Sequence, residues 1–270
     1  MKRSRITAIS MFGVAAAGAA SAADLPTIKG PPPMTTTEPA YSWTGFYLGA
    51  TAGYGWATAA QGYSISSASL AAAPPIIPVI DAAGSHALSL RGVLLGGVAG
   101  YNWQTSERFV LGLEGDSEWS DLSGSQFNTG NIPNFPPGTP YAIAQKLQPD
   151  WQGSLRLRLG FTPTARLLVY ATGGLALANN EYASRFTDIF GETEGVSIGT
   201  IKLGETIGAG VEYAVMPNWW VKGEYRYSQF ATATAIGSAQ LTDGTTASVA
   251  HSAGSLKENA VRVGIDYHFN

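Results

Sequence analysis

Trp151-Gln152-Gly153-Ser154-Leu155-Arg156-Leu157-Arg158-Leu159-Gly160-Phe161 is the stretch that decides the fold. Trp151, Leu155, Leu157, Leu159 and Phe161 share one parity, and Gln152, Ser154, Arg156, Arg158 and Gly160 share the other. Successive side chains of an extended strand point to opposite faces, so this is a strand with one apolar and one polar face. A soluble sandwich turns such an apolar face inward and leaves the arginines in water. A transmembrane barrel turns it toward lipid and encloses the arginines.

The rest of the chain separates the two cases. Eight stretches alternate in this way, at about 44–57, 89–103, 109–121, 151–161, 166–179, 201–213, 219–232 and 259–269. Three links between them are turns (104–108, 162–165, 214–218). Four are long and rich in Gly, Ser, Thr, Ala and Pro (58–88, 122–150, 180–200, 233–258). In an up-and-down arrangement the short links fall at one end and the long links at the other, the polarity of outer-membrane barrels with short periplasmic turns and long external loops. The spacing therefore predicts an all-β fold: an eight-stranded antiparallel up-and-down transmembrane β-barrel with four long external loops and three short periplasmic turns.

The polar faces collect Glu114, Asp116, Glu118, Arg156, Arg158, Glu212, Lys222, Glu224, Arg226, Arg262 and Asp266, an expected interior network of nearly balanced charge. A lone buried charge is costly, so these groups should pair across the lumen. Trp43, Trp56, Trp103, Trp119, Trp151, Trp219 and Trp220 all sit near strand ends and predict two aromatic girdles at the lipid–water boundaries. A sandwich core would hold its tryptophans mid-strand. Inner-face glycines such as Gly49, Gly53, Gly96, Gly100, Gly208 and Gly210 make room in a narrow barrel for long side chains from facing strands.

Among the 270 residues there are 33 glycines, 13% charged residues and no cysteine, so closure of the sheet rather than disulfides must hold the fold. Lys2, Arg3 and Arg5, the apolar run after them and Ala20-Ser21-Ala22 form an export signal, with cleavage near Ala22 or Ala23. Losing those three cations takes the formal charge from −3 to −6, which argues against a nucleic-acid partner. The expected domains are a signal peptide at 1–22, an extended periplasmic segment at 23–43 and a barrel at 44–270.

Several segments carry a family likeness: Ala22-Ala23-Asp24-Leu25-Pro26, Trp43-Thr44-Gly45-Phe46-Tyr47-Leu48-Gly49, Gly115-Asp116 with Trp119-Ser120-Asp121, and Tyr170-Ala171-Thr172-Gly173-Gly174. With the aromatic carboxyl end they resemble the α-proteobacterial outer-membrane immunogenic proteins, the Omp25/Omp31-like group, related in architecture to the OmpA transmembrane domain. The resemblance covers essentially the whole mature chain. It implies location in the Gram-negative cell outer membrane, surface exposure as an antigen, an envelope-integrity role and host recognition. Some members are described as porin-like or as haem binders. Members usually end on an aromatic residue that the barrel-insertion machinery reads. Here Val263, Ile265, Tyr267 and Phe269 present that face, and Asn270 follows them.

No catalytic, cofactor-binding or metal-binding set is expected, and the chain does not read as an enzyme. The three histidines His86, His251 and His268 are scattered, and neither HExxH nor a phosphate-cradling loop occurs. Three readings of function remain. The first is a plugged barrel with structural and display roles. The second is a small gated diffusion pore, which the eight-strand count opposes. The third is binding of haem or a host or surface ligand through the loops, with His86, His251, Tyr63 and Tyr141 as candidates against the plainer account that they are ordinary loop residues. Expected partners are outer-membrane lipid, the insertion machinery during biogenesis, and a host or surface ligand.

Overall fold

The computed structural model describes residues 41–67, 76–132, 138–188, 193–240, 244 and 246–269. The expected signal peptide, most of the expected periplasmic segment and Asn270 lie outside them. Among the described residues ten strands and one helix form: β1 (Gly45–Ser66), α1 (Ile76–Gly84), β2 (Ala87–Gln104), β3 (Phe109–Ser120), β4 (Gly124–Ile132), β5 (Thr139–Thr164), β6 (Leu167–Asp188), β7 (Thr193–Met216), β8 (Trp219–Phe230), β9 (Ala233–Gln240) and β10 (Thr246–Phe269).

Eight of the strands close a ring. Antiparallel ladders run β1–β2–β3–β5–β6–β7–β8–β10, and β10 returns to β1 through pairs from Phe46↔Phe269 to Ser66↔Ser248. Closure leaves no open edge at the level of the lipid, where unpaired N–H and C=O groups would each cost several kcal/mol. β4 pairs with β5 and β9 with β10 as hairpin additions at the long-connection end.

The long connections carry more structure than their composition predicts. β1, β5, β6, β7 and β10 are 22–26 residues long. At about 3.3 Å per residue and a tilt near 45°, 24 residues rise roughly 55 Å. The apolar band of an outer-membrane barrel is about 25 Å tall, so roughly half of this sheet projects beyond it. α1 lies in that projecting half, with Ile76, Ile80 and Gly84 buried at a spacing of four along one helical face.

Parity errors end the visible alternation where the projection begins. Below Trp151 the inward residues of β5 are Gln152, Arg156 and Arg158. Above it they are Pro149, Leu147, Gln145, Ile143 and Tyr141. The β5–β6 register shifts between Pro149 and Trp151, and the bulge flips the phase. Proline lacks the N–H a ladder needs, which suits it to that position. In β10 the register against β1 shifts at Ala59/Gln61, and inward parity changes between His251 and Leu256.

Candidate functional site in the barrel interior

The outward face of the lower half is mostly apolar, with Glu205 and Ser117 among its exceptions. Leu155, Leu157 and Leu159 are 57–67% exposed, with Leu48, Leu95, Leu175, Leu203, Ile207 and Val263 equally bare around the ring. The interior is the reverse, and it is layered.

The lowest layer is apolar and aromatic: Trp43, Tyr47, Val98, Val110, Leu168, Ala214 and Trp220 pack as one buried cluster. Trp43 enters the mouth from the chain just before β1. It receives a ring contact from Trp220 at 4.8 Å, donates from Nε1 to the Ala165 carbonyl at 3.1 Å, and its backbone N–H meets Gln104 at 2.9 Å. His268 also stacks on Trp220, at 4.5 Å.

Above it lies the ion network. Arg156 from β5 reaches Glu114 (2.5 Å) and Asp116 (3.1 Å) on β3 and Glu224 (2.7 Å) on β8. Arg158 pairs with Glu212 at 2.6 Å, and its guanidinium lies 3.7 Å from the Tyr170 ring centroid. Arg262 bridges Glu118 (2.5 Å) and Glu224, and Arg226 bridges Asp116 (3.1 Å) and Glu118. Lys222 meets Asp266 at 3.1 Å. Hydroxyls complete the carboxylate shells: Tyr47 donates to Glu114 at 2.7 Å and Tyr170 to Glu224 at 3.0 Å. Every one of these charged side chains is at most 4% exposed. β3 and β8 are not neighbours in the ring, so the Asp116–Arg226 and Glu118–Arg226 pairs span the lumen. The glycines give way to this packing: a Cβ at Gly210 would stand 2.6 Å from Tyr170, and one at Gly100 would run into Tyr47.

A second apolar layer covers the network, with Ala57, Leu88, Leu90, Leu94, Leu122, Leu147, Ala176, Ala178, Tyr182, Phe230 and Leu256 in one buried cluster. Farther out come Gln61, Gln145, Glu194 and His251, all buried. Beyond them a third cluster of Tyr63, Ile76, Ile80, Ile132, Tyr141, Ile143, Phe186 and Val249 lies under α1. Burial pushes the Tyr63 phenol well above its ordinary range, and it pushes the Asp81 carboxyl up despite the Ile65 N–H it accepts.

A family model for the outer membrane protein beta-barrel domain matches residues 10–269. The chain belongs to that family. Two proteins described as 31 kDa outer-membrane immunogenic proteins, from Brucella melitensis and Brucella suis, are 33% identical over 276 residues, covering 97% of this chain and 99% of theirs. The likeness to the outer-membrane immunogenic proteins therefore holds, and the location is the Gram-negative outer membrane, in contact with its lipid. Solved structures are similar only loosely. Ail of Yersinia pestis (13% identical, 84% of this chain and 99% of that one, TM-score 0.36) and the outer membrane protease OmpT of Escherichia coli (11%, 83% and 97%, TM-score 0.40) are too distant to build on.

Within this outer-membrane barrel, two tryptophans do not belong to a girdle. Trp43 and Trp220 are 0% exposed and fill the lower mouth, whereas Trp219 is 40% exposed. Adjacent residues in a strand face opposite ways, so Trp219 and Trp220 cannot both meet lipid. Trp103 and Trp219 at the lower rim, and Trp56, Trp119 and Trp151 at the upper, are outward and exposed. Val263, Ile265, Tyr267 and Phe269 also face outward on β10.

Three of the four haem or ligand candidates are not displayed. Tyr63, Tyr141 and His251 are buried in the external core, with His251 bonded to Glu194 at 2.8 Å, and His86 lies 3.5 Å from Asn128. Glu258 and Gln152, bonded at 2.7 Å with Gln152 paired opposite Glu118, were missing from the sequence-derived network. Parity gives them away: Glu258 continues Arg262 and Ala260 inward, one residue above where the alternation seemed to start.

Proposed function

We propose that this barrel is a closed, non-conducting structural element of the outer membrane that holds a folded, surface-displayed crown. One observation carries the reading: the buried ion network lies between two apolar layers, with Trp43 and Trp220 below it and Leu94, Leu122, Phe230 and Leu256 above it. An ion crossing the lumen would have to part both layers and break charge pairs whose partners are buried with them. Eight strands leave an interior that side chains just fill.

The same reading assigns residues 1–22 to a signal peptide cleaved near Ala22 or Ala23, and residues 23–43 to a periplasmic segment whose last residues plug the lower mouth. It assigns the outward face of Val263, Ile265, Tyr267 and Phe269 to recognition by the insertion machinery.

Planar-bilayer recording on the refolded, signal-free protein tests it, after heat-modifiable gel mobility has confirmed folding. Silence is the expected result. Steady, reproducible conductance that changes in Arg156→Met or Glu224→Gln would replace this reading with a narrow, charge-lined pore.

A further inference from the structure

The crown has two joints at which neighbouring strands share no backbone ladder among the described residues, and they are closed differently. Between the outer parts of β1 and β4, α1 and its flank fill the gap. Ile65 N–H donates to Asp81 at 2.8 Å, Tyr63 N–H to Ser85 Oγ at 3.0 Å and Gln61 N–H to the His86 carbonyl at 2.6 Å. Asn128 donates to the Ala83 carbonyl at 2.7 Å. Between β7 and β9 no element intervenes. β7 pairs with β8 only from Gly204 inward, and β9 pairs with β10 alone. Here Glu194 on β7 reaches past β9 to His251 on β10, at 2.8 Å. β9 passes so closely that a Cβ on Gly237 would collide with the Glu194 carboxylate.

Behind this joint lies a cavity of about 20 Å³ whose lining includes Leu147, Tyr182, Ile198, Ala235, His251 and Leu256. The rings of Tyr63 and Tyr182 stand 5.0 and 6.0 Å from that of His251. The His251 side chain is fully buried, yet its Nδ1 has no hydrogen-bond partner, and neither has Oδ1 of Asn180, which also lines the cavity. A carboxylate only accepts, so in the neutral imidazole the proton is on Nε2 toward Glu194 and Nδ1 is an unused acceptor. Many buried polar side-chain atoms among the described residues lack a partner, and these two are the ones that line this cavity.

We propose that the β7–β9 joint is the entrance to a binding site for small phenolic molecules, one or two fused rings bearing a single hydroxyl. The ring replaces packing among Tyr63, Tyr182, Leu147, Ile198 and Leu256, and the hydroxyl donates to His251 Nδ1. The cavity has room for about one water. A ligand therefore enters by parting β7 from β9, a movement that breaks no backbone ladder among the described residues and opens the Glu194–His251 contact in passing. The site is floored by Leu147, Tyr182 and Leu256 of the second apolar layer and lies outside the ion network, so a binding result is read separately from whether the lumen conducts.

The test is titration of 1-naphthol, followed by its fluorescence, into the refolded signal-free protein in lipid nanodiscs, with empty nanodiscs as the reference. Saturable one-to-one binding is expected, with naphthalene weaker by about tenfold for want of one hydrogen bond. His251→Phe should bring 1-naphthol down to the naphthalene level, and Ile198→Trp should abolish both. Heat-modifiable mobility reports whether each variant folds, and Ala235→Trp fills the same cavity from β9 if Ile198→Trp does not. Partition into lipid alone, or binding unchanged by either tryptophan, overturns the site. Equal affinity for naphthol and naphthalene overturns the role of His251.

Discussion

The two halves of this barrel are built from the same continuous strands and obey opposite rules. Below the level of Trp56, Trp119 and Trp151 the sheet wears leucine and valine outside and holds arginine and glutamate inside. Above it β1 shows Thr58, Ser64 and Ser66 outside and Ala57, Ala59 and Tyr63 inside, and β6 shows Glu181 and Arg185 outside and Tyr182 and Phe186 inside. The hydrophobic effect buries apolar surface away from water, so each half turns its apolar face from the water it meets, and we propose that the outward tryptophans mark where the solvent changes. A strand can cross that boundary without a break because only its side-chain pattern, not its hydrogen bonding, has to invert.

The largest break in this contrast should come from the ion network. Arg156→Met strips Glu114, Asp116 and Glu224 of a shared cation, and truncating one partner of a buried ionic group costs about 3–5 kcal/mol. Equilibrium urea unfolding in lipid vesicles, followed by tryptophan fluorescence, measures it. Leu157→Arg places a cation on the lipid face, with an expected cost of about 2–4 kcal/mol near the bilayer midplane, whereas Lys146→Leu, outward on the crown, should stay within about 0.5 kcal/mol.

Leu256→Ala in the upper apolar layer should cost about 2–4 kcal/mol. Hydrogen exchange in that variant should rise in the crown and stay unchanged near Arg158 and Glu212. The smallest effect is alkaline. The Tyr63 phenol titrates higher in the folded chain than in the unfolded one, because burial disfavours its anion. Its stabilising contribution is therefore complete below the ordinary tyrosine value of about 10 and fades as the pH rises above it. Proteolysis of the crown should accelerate above that pH, and Tyr63→Phe should flatten the response.

The lower half was legible in the sequence because lipid on one side and charge on the other give maximal contrast between parities. Arg156, Arg158 and Leu157 could hardly be read otherwise. The upper half was not, since many of its outward residues are small and uncharged, as Thr58, Ser64 and Ser66 are on β1, and the bulge at Pro149–Trp151 and the shift between His251 and Leu256 scramble parity where contrast is already low. Trp43 and Trp220 were misplaced by using nearness to a strand end, a measure of depth, where only parity tells inside from outside. The Glu194–His251 contact joins residues 57 positions apart from strands that share no ladder, and nothing in their local sequence announces it.

The central claim is that the long connections form a packed half-barrel rather than loops. Hydrogen exchange by mass spectrometry on the protein in lipid nanodiscs tests it most directly, comparing residues 58–66, 139–149 and 181–188 with the lipid-level segments of the same strands. Protection in the crown lasting minutes to hours is the predicted result. Complete exchange there within seconds, with the lower half still protected, would contradict it.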